Sequence, residues 1–240
     1  MRTVGQPLRK GSLRHALDRE SLRIRLLAGA TVGILVCMVT IVLWSGPASS
    51  PQVFERRELD WLGLRDLLLQ YHDPLLAVVA LDQLFALLYT ATFMALASSL
   101  RRYDDGGLIA LASVIVGLAG GLADVLENSM HYSLLETAEN SISGPLVPMA
   151  VLDLVTQLKF LLVHFAVLLL GLLVPCTRSK LAMLLWISLL FVQAPLGVAA
   201  MWFEKDGPVS KARVAFMLFA FSALSCCARE LFPASKHKEE

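Results

Sequence analysis

Within GGLADVLENSMH (residues 120–131), Asp124, Glu127, Asn128 and His131 fall inside two helical turns. Two carboxylates, an amide and an imidazole at that spacing could share a helix face and hold a proton, a metal ion or an organic cation, or act as a general base. Glu127 and His131, at i and i+4, could both reach one metal, although this pair alone lacks the further ligands a metal site needs. Two other stretches carry comparable groups. LDQLF (81–85) holds Asp82, and VLDLVTQLKFLLVH (151–164) holds Asp153, Thr156, Gln157, Lys159, Phe160 and His164. The candidate ligand- or ion-binding residues are therefore Asp82, Asp124, Glu127, Asn128, His131, Asp153, Gln157 and Lys159.

Each of these residues interrupts an apolar run, so the medium decides what they can do. The chain has 240 residues, 56% of them hydrophobic and only 17% charged, with a mean hydropathy of +0.65 and a formal net charge of +1. That composition is too apolar for an ordinary soluble domain, and the balanced charge gives no electrostatic footprint for nucleic acid. Runs of about 20 apolar residues, enough to cross a hydrocarbon core roughly 30 Å thick, occur at 24–44, 74–100, 107–131, 147–174, 181–203 and 212–231. Arg213 and the Ala, Ser and Cys content make 212–231 the weakest of these. The first run is longer than the core of a signal peptide and reads as a retained anchor.

The expected fold is all-α: a polytopic transmembrane helical bundle of about six spans, forming one domain over 24–231. A basic segment (1–23) precedes it and a short tail (232–240) follows. Lys and Arg concentrate at the N-terminus, at Arg101 and Arg102, at Arg178 and Lys180, and at Arg229, Lys236 and Lys238. By the positive-inside rule both termini are cytoplasmic, and Trp44, Trp61, Trp202, Tyr71 and Tyr132 fall at the outer boundary. In the first outer loop, Trp61, Leu64, Leu68 and Tyr71 line one side of an amphipathic helix expected over 55–71. Lying in the interface, this helix would anchor the second span or, in a sharper reading, cover an outward-facing cavity as a lid. The cysteines fall within the first span or near the inner face, where free thiols are expected.

Periodicity puts Ala110, Ser113, Gly117, Gly121, Asp124, Asn128 and His131 on one stripe of the third span. Its inner half, with Ser113, Gly117 and Gly121, is a small-xxx-small run suited to close helix packing, so the polar half should face protein. In the fourth span Asp153, Thr156, Gln157, Phe160 and His164 form a second stripe, from which Lys159 points roughly 120° away at about 100° per residue. In the fifth, Pro195 frees the carbonyl of Phe191 and permits a kink beside Gln193. An Asp or Lys at the bilayer centre costs about 2.5–3.5 kcal/mol, so these groups must be paired, solvated or neutralised. Asp82, Asp124, Glu127 and Asp153 outnumber the one buried base, Lys159, so a bound cation or proton is implied, with no cofactor motif in evidence. Plainer alternatives stand beside that reading. His131 could be an interfacial residue and His164 a packing residue. Asp153 could reach headgroups, and the whole set could be a salt-bridge network that fixes helix packing.

ADVLEN (123–128), preceded by LDQLF (81–85) and followed by LKF (158–160), resembles uncharacterised bacterial integral membrane proteins. The resemblance covers spans two to four and implies Asp124, Glu127, Asn128 and Lys159 as signature positions, with no activity attached. It also suggests a bacterial inner membrane. No Walker A, G-x-G-x-x-G, H-E-x-x-H, G-x-S-x-G or C-x-x-C motif is present, which leaves nucleotide-driven transport, zinc-peptidase chemistry and a serine-hydrolase elbow without support. The expected function is binding or transport of a proton, cation or small solute. One alternative is an intramembrane lipid-modifying enzyme; another is an accessory subunit whose polar stripe pairs with a partner helix. The partners expected are the lipid bilayer and a second copy or another membrane protein.

Overall fold

The fold is known from a computed structural model, which describes residues 10–55, 60–101, 107–140, 149–174, 179–202 and 208–231. All described elements are helical. They are α1 (Lys10–Ser45), α2 (Trp61–Gln70), α3 (His72–Leu100), α4 (Gly107–Asn140), α5 (Met149–Leu173), α6 (Lys180–Ile187), α7 (Ala194–Trp202) and α8 (Pro208–Cys227). Short 3-10 turns at Pro47–Ser49 and Pro51–Glu55 follow α1, and a π-helical turn at Ser188–Gln193 joins α6 to α7. The expected tail 232–240 and the start of the chain to residue 9 lie outside the described residues, as do Cys176, Arg178 and residues 56–59 of the amphipathic helix.

Among the described residues, five helical stretches are long and apolar enough to cross a membrane: Asp18–Ser45, His72–Leu100, Gly107–Asn140, Met149–Leu173 and Lys180–Ala199. Their outward faces agree with that composition. Leu108, Leu122, Leu154, Leu161, Leu172 and Phe191 are all exposed, an apolar coat that water would penalise and hydrocarbon would not. α8 is helical over 20 residues but does not reach the same hydropathy, because Lys211, Arg213 and several serines dilute it. It nevertheless packs on α1 through a reciprocal pair: Arg25 Nε donates to the Ser225 carbonyl at 3.1 Å and Ser225 Oγ to the Arg25 carbonyl at 3.1 Å.

The main core joins α1, α3, α5, α6 and α8 around Phe85, Phe93, Leu170, Leu185 and Phe221. A second apolar cluster sits at the other end of α3, where Val53 and Phe54 of the 3-10 turn meet Leu64, Leu68, Leu75, Leu134 and Leu152. α2 begins at Trp61 because Asp60 caps it, accepting from Gly63 N at 2.8 Å. It buries Leu64 and Leu68 and exposes Leu62 and Leu69. His72 Nε2 at the start of α3 lies 3.2 Å from Glu139 Oε1 near the end of α4, tying the two helices at that end of the bundle.

α4 runs between α3 and α5, and its glycines make this approach. A methyl group at Gly120 would lie 3.0 Å from Val163 Cγ2 and 3.1 Å from the Val163 backbone nitrogen. One at Gly121 would collide with Thr90 Oγ1, whereas one at Gly117 would meet Phe93 and Ala166 at ordinary contact distances. Gly120 therefore sets the α4–α5 distance and Gly121 the α3–α4 distance. Gly121→Ala is expected to destabilise the protein by about 1–3 kcal/mol through overpacking. Thermal melting in detergent checks this: Thr90→Ala in the same chain should restore part of the loss, and an unshifted Gly121→Ala melt would contradict the packing.

Candidate functional site

The polar stripe of α4 is buried inside the chain. Ser113, Gly117, Gly121, Asp124, Glu127, Asn128 and His131 are all inaccessible or nearly so. From α5, Lys159 reaches across to α4. Its Nζ donates to Asp124 Oδ1 at 3.0 Å and forms an ion pair with Glu127 Oε2. The other carboxylate oxygens are also occupied: Tyr89 of α3 donates to Asp124 Oδ2 at 3.0 Å, and Thr156 of α5 donates to Glu127 Oε1 at 2.5 Å. With the Lys159 side chain only 13% exposed, this is a buried, charge-assisted network joining three helices.

Asp82 approaches the network from α3. It faces Asp124, Lys159 and Glu127, and Asn128 lies within its reach, although neither amide atom of Asn128 closes a hydrogen bond of ordinary geometry. Among the described residues, Lys159 makes its ion pairs with Asp124 and Glu127, and none is formed with Asp82. The third carboxylate of the cluster thus shares the field of an ammonium group that two others already hold.

His131 stacks on Phe54, with ring centroids 4.2 Å apart and planes inclined by 13°. The 3-10 turn at Pro51–Glu55 therefore covers this end of the cluster, a role that the sequence offered to the amphipathic helix. Trp61–Gln70 instead packs against α3 and α4 through Leu64 and Leu68. Glu127 is held by Lys159 and Thr156, and the described residues contain no group of three or more His, Cys, Asp or Glu placed to hold a metal.

The stripe expected on α5 is corrected. Gln157 is exposed and Asp153 half-buried, while Thr156, His164 and the amine end of Lys159 face inward. Thr156 and His164 of that stripe face the interior, and Gln157 at its edge does not. Lys159 does point away from Asp153, and that direction is the one toward α4. His164 behaves as a packing residue: Nδ1–H donates to the Phe160 carbonyl at 2.7 Å, and the ring lies where a side chain at Gly197 would have to go. The π-helical turn before α7 has a local cause in Pro195. Its missing N–H removes the bond to the Phe191 carbonyl, and a wider turn accommodates the loss.

A cavity of about 550 Å³ opens beside the network. Asp82, Asp124, Glu127, Lys159 and His131 line one end of it, together with Phe160, His164 and Gln193. Lys211 and Arg213 of α8 line the same cavity, a placement that no motif or periodicity in the chain points to. Arg213 Cζ lies 4.2 Å and Lys159 Nζ 5.1 Å from the Phe160 ring centroid, so one aromatic ring carries two cations. Apart from Ser50 and Tyr89, the rest of the wall is apolar. No family model, curated protein or solved structure matches the chain.

Removing the Lys159 charge leaves two carboxylates buried without their counter-ion. Lys159→Met is expected to cost about 3–5 kcal/mol, as loss of one partner of a buried pair does. Asp124→Asn and Glu127→Gln, added to Lys159→Met, should recover part of the loss in a thermal melt. Equal melts for the single and triple variants would show that the network carries no such coupling.

Proposed function

We propose that the protein binds a small cation-bearing molecule in an intramembrane cavity, at the cluster formed by Asp82, Asp124, Glu127 and Lys159, as a binding or transport protein. The observation that carries the reading is Asp82, a carboxylate on the cavity wall beside a lysine already shared by two other acids. An organic ammonium group can pair with Asp82, which forms no ion pair among the described residues. Asp124 and Glu127, locked by Lys159, Tyr89 and Thr156, hold the shape of the site. The stripe of α4 meets α3 and α5 of its own chain, so it does not call for a partner helix.

In this reading α8 is the sixth span, both termini are cytoplasmic and the cluster lies in the outer half of the bilayer. Support comes from the distribution of Lys and Arg, from Trp44 and Tyr132 exposed at the same end of the bundle as the 3-10 turns, and from the Arg213 contact with Phe160. α2 then lies along the outer interface as an anchor. The bacterial inner membrane is the location that the resemblance to uncharacterised bacterial proteins points to.

Two measurements check this. Tail-free ethylammonium should bind saturably to the protein in nanodiscs, followed by NMR. Asp82→Asn should weaken the binding about tenfold or more, the worth of one hydrogen bond to a charged group; no saturable binding, or binding unaffected by Asp82→Asn, overturns the reading. In a cysteine-free background, a membrane-impermeant thiol reagent should label Lys211→Cys from outside intact cells and spare Arg101→Cys. The reverse pattern overturns the orientation.

A further inference from the structure

We infer that the occupant of the cavity is an amphiphile: a molecule with an amine-bearing head at the Asp82 cluster and a hydrocarbon tail running along α3 toward Leu96. The inference rests on the cation-binding reading of the site and adds the substrate class to it.

The cavity is longer than a small cation requires. Asp82 and Leu96 both line it, and the 14 residues of α3 between them rise about 20 Å at 1.5 Å each. Beyond the cluster the wall is built from Phe93, Leu96, Leu170, Leu185, Leu189 and Leu224. These residues come from α3, α5, α6, the π-helical turn and α8, so the apolar channel lies between helices. Its volume of about 550 Å³ falls in the range, roughly 300–1,000 Å³, of pockets that enclose a single small molecule.

Space of this kind is unfavourable when empty. Atoms lining an unfilled void lose their dispersion partners, and water gains little in a channel without polar groups. A hydrated inorganic cation would occupy only the polar end. A hydrocarbon chain fills the remainder and restores the lost contacts, while its charged head stays with the polar groups.

The head end is equally specific. Tyr89, Asp124, Lys159, Thr156 and Glu127 satisfy one another, which leaves Asp82 as the carboxylate of the cluster that a ligand in the cavity would meet. Asn128 is 2% exposed, is turned toward Asp82 and has both amide atoms without an ordinary hydrogen bond. A primary ammonium has three N–H donors, enough to engage both oxygens of the Asp82 carboxylate.

A filler chain from the surrounding bilayer would occupy the apolar channel without regard to its head. Charge complementarity at Asp82 favours the amine-headed amphiphile and separates the two cases.

The test uses the intact protein in nanodiscs and a photoactivatable dodecylamine bearing a diazirine at the tail terminus. Cross-links mapped by mass spectrometry should fall on the channel residues near Leu96, Leu170 and Leu185. Untagged dodecylamine should compete them away, and Asp82→Asn should reduce them about tenfold. A dodecyl sulfate probe carrying the same diazirine should label only outward-facing positions such as Leu172 and Phe191. Leu185→Trp, which fills the channel, should abolish the channel cross-links and leave ethylammonium binding intact; should that variant not fold, the wild-type comparison of the two heads decides alone. Equal channel labelling by amine and sulfate probes overturns the inference, as does labelling confined to outward faces. If the channel stays unlabelled while ethylammonium still binds in an Asp82-dependent way, the amphiphile is wrong and the cation site stands. If neither probe binds, both readings fall.

Discussion

Lys159 places one ammonium group between the carboxylates of Asp124 and Glu127, inside a bundle whose main core is built from apolar side chains. Its geometry constrains three helices at once. The lysine must stand on the α4-facing side of α5, so α4 and α5 must approach closely, and Gly120 against Val163 permits that distance. Asp124 must also face α3 to accept from Tyr89, and Gly121 against Thr90 permits that contact. Two adjacent glycines thus serve two different neighbours. In a helix interior each costs about 1 kcal/mol relative to alanine, a cost offset here by the close approaches they allow.

A network satisfied to this degree suits a scaffold, and what makes it more than a scaffold is its position on a cavity wall. Asp124 and Glu127 spend their hydrogen-bonding capacity inside the protein, whereas Asp82, on the cavity wall, forms no ion pair among the described residues. Buried acids of the two kinds differ in consequence. The first kind resists change because breaking any contact strands a charge; the second kind awaits a partner of opposite sign. The excess of acids over bases therefore resolves unevenly: Lys159 serves two of them, Arg213 and Lys211 bring positive charge to the same cavity from α8, and Asp82 stays without an ion pair among the described residues.

Much of this arrangement could be read from the chain because helix periodicity is a local property. Asp124, Asn128 and His131 recur with Ser113, Gly117 and Gly121 at spacings of three and four, and all are buried on α4. The long apolar runs similarly match helices with apolar outward faces. Errors arose where one residue had to fix the phase of a helix. Choosing Asp153 as the reference carried Gln157 into the site, and the structure turns Gln157 outward while Thr156 and His164 of the same stripe face inward. The pair Gly120–Gly121 held a signal that one stripe could not express, since adjacent positions 100° apart point to two contact faces. Phe54 over His131 and Arg213 over Phe160 were not legible. Each depends on residues distant in the chain, brought together by the packing of α1 and α8 that periodicity does not specify.

In the proposed reading the charged cluster opens on a channel that holds a ligand and is not a dry, self-contained network. The most direct measurement is a cryo-electron microscopy map of the protein in lipid nanodiscs at a resolution that separates side chains from bound molecules. The account predicts elongated density that starts against the Asp82 carboxylate and follows α3 toward Leu96. Side chains closed over the channel, with Asp82 paired to a lysine or arginine of the protein, would contradict it.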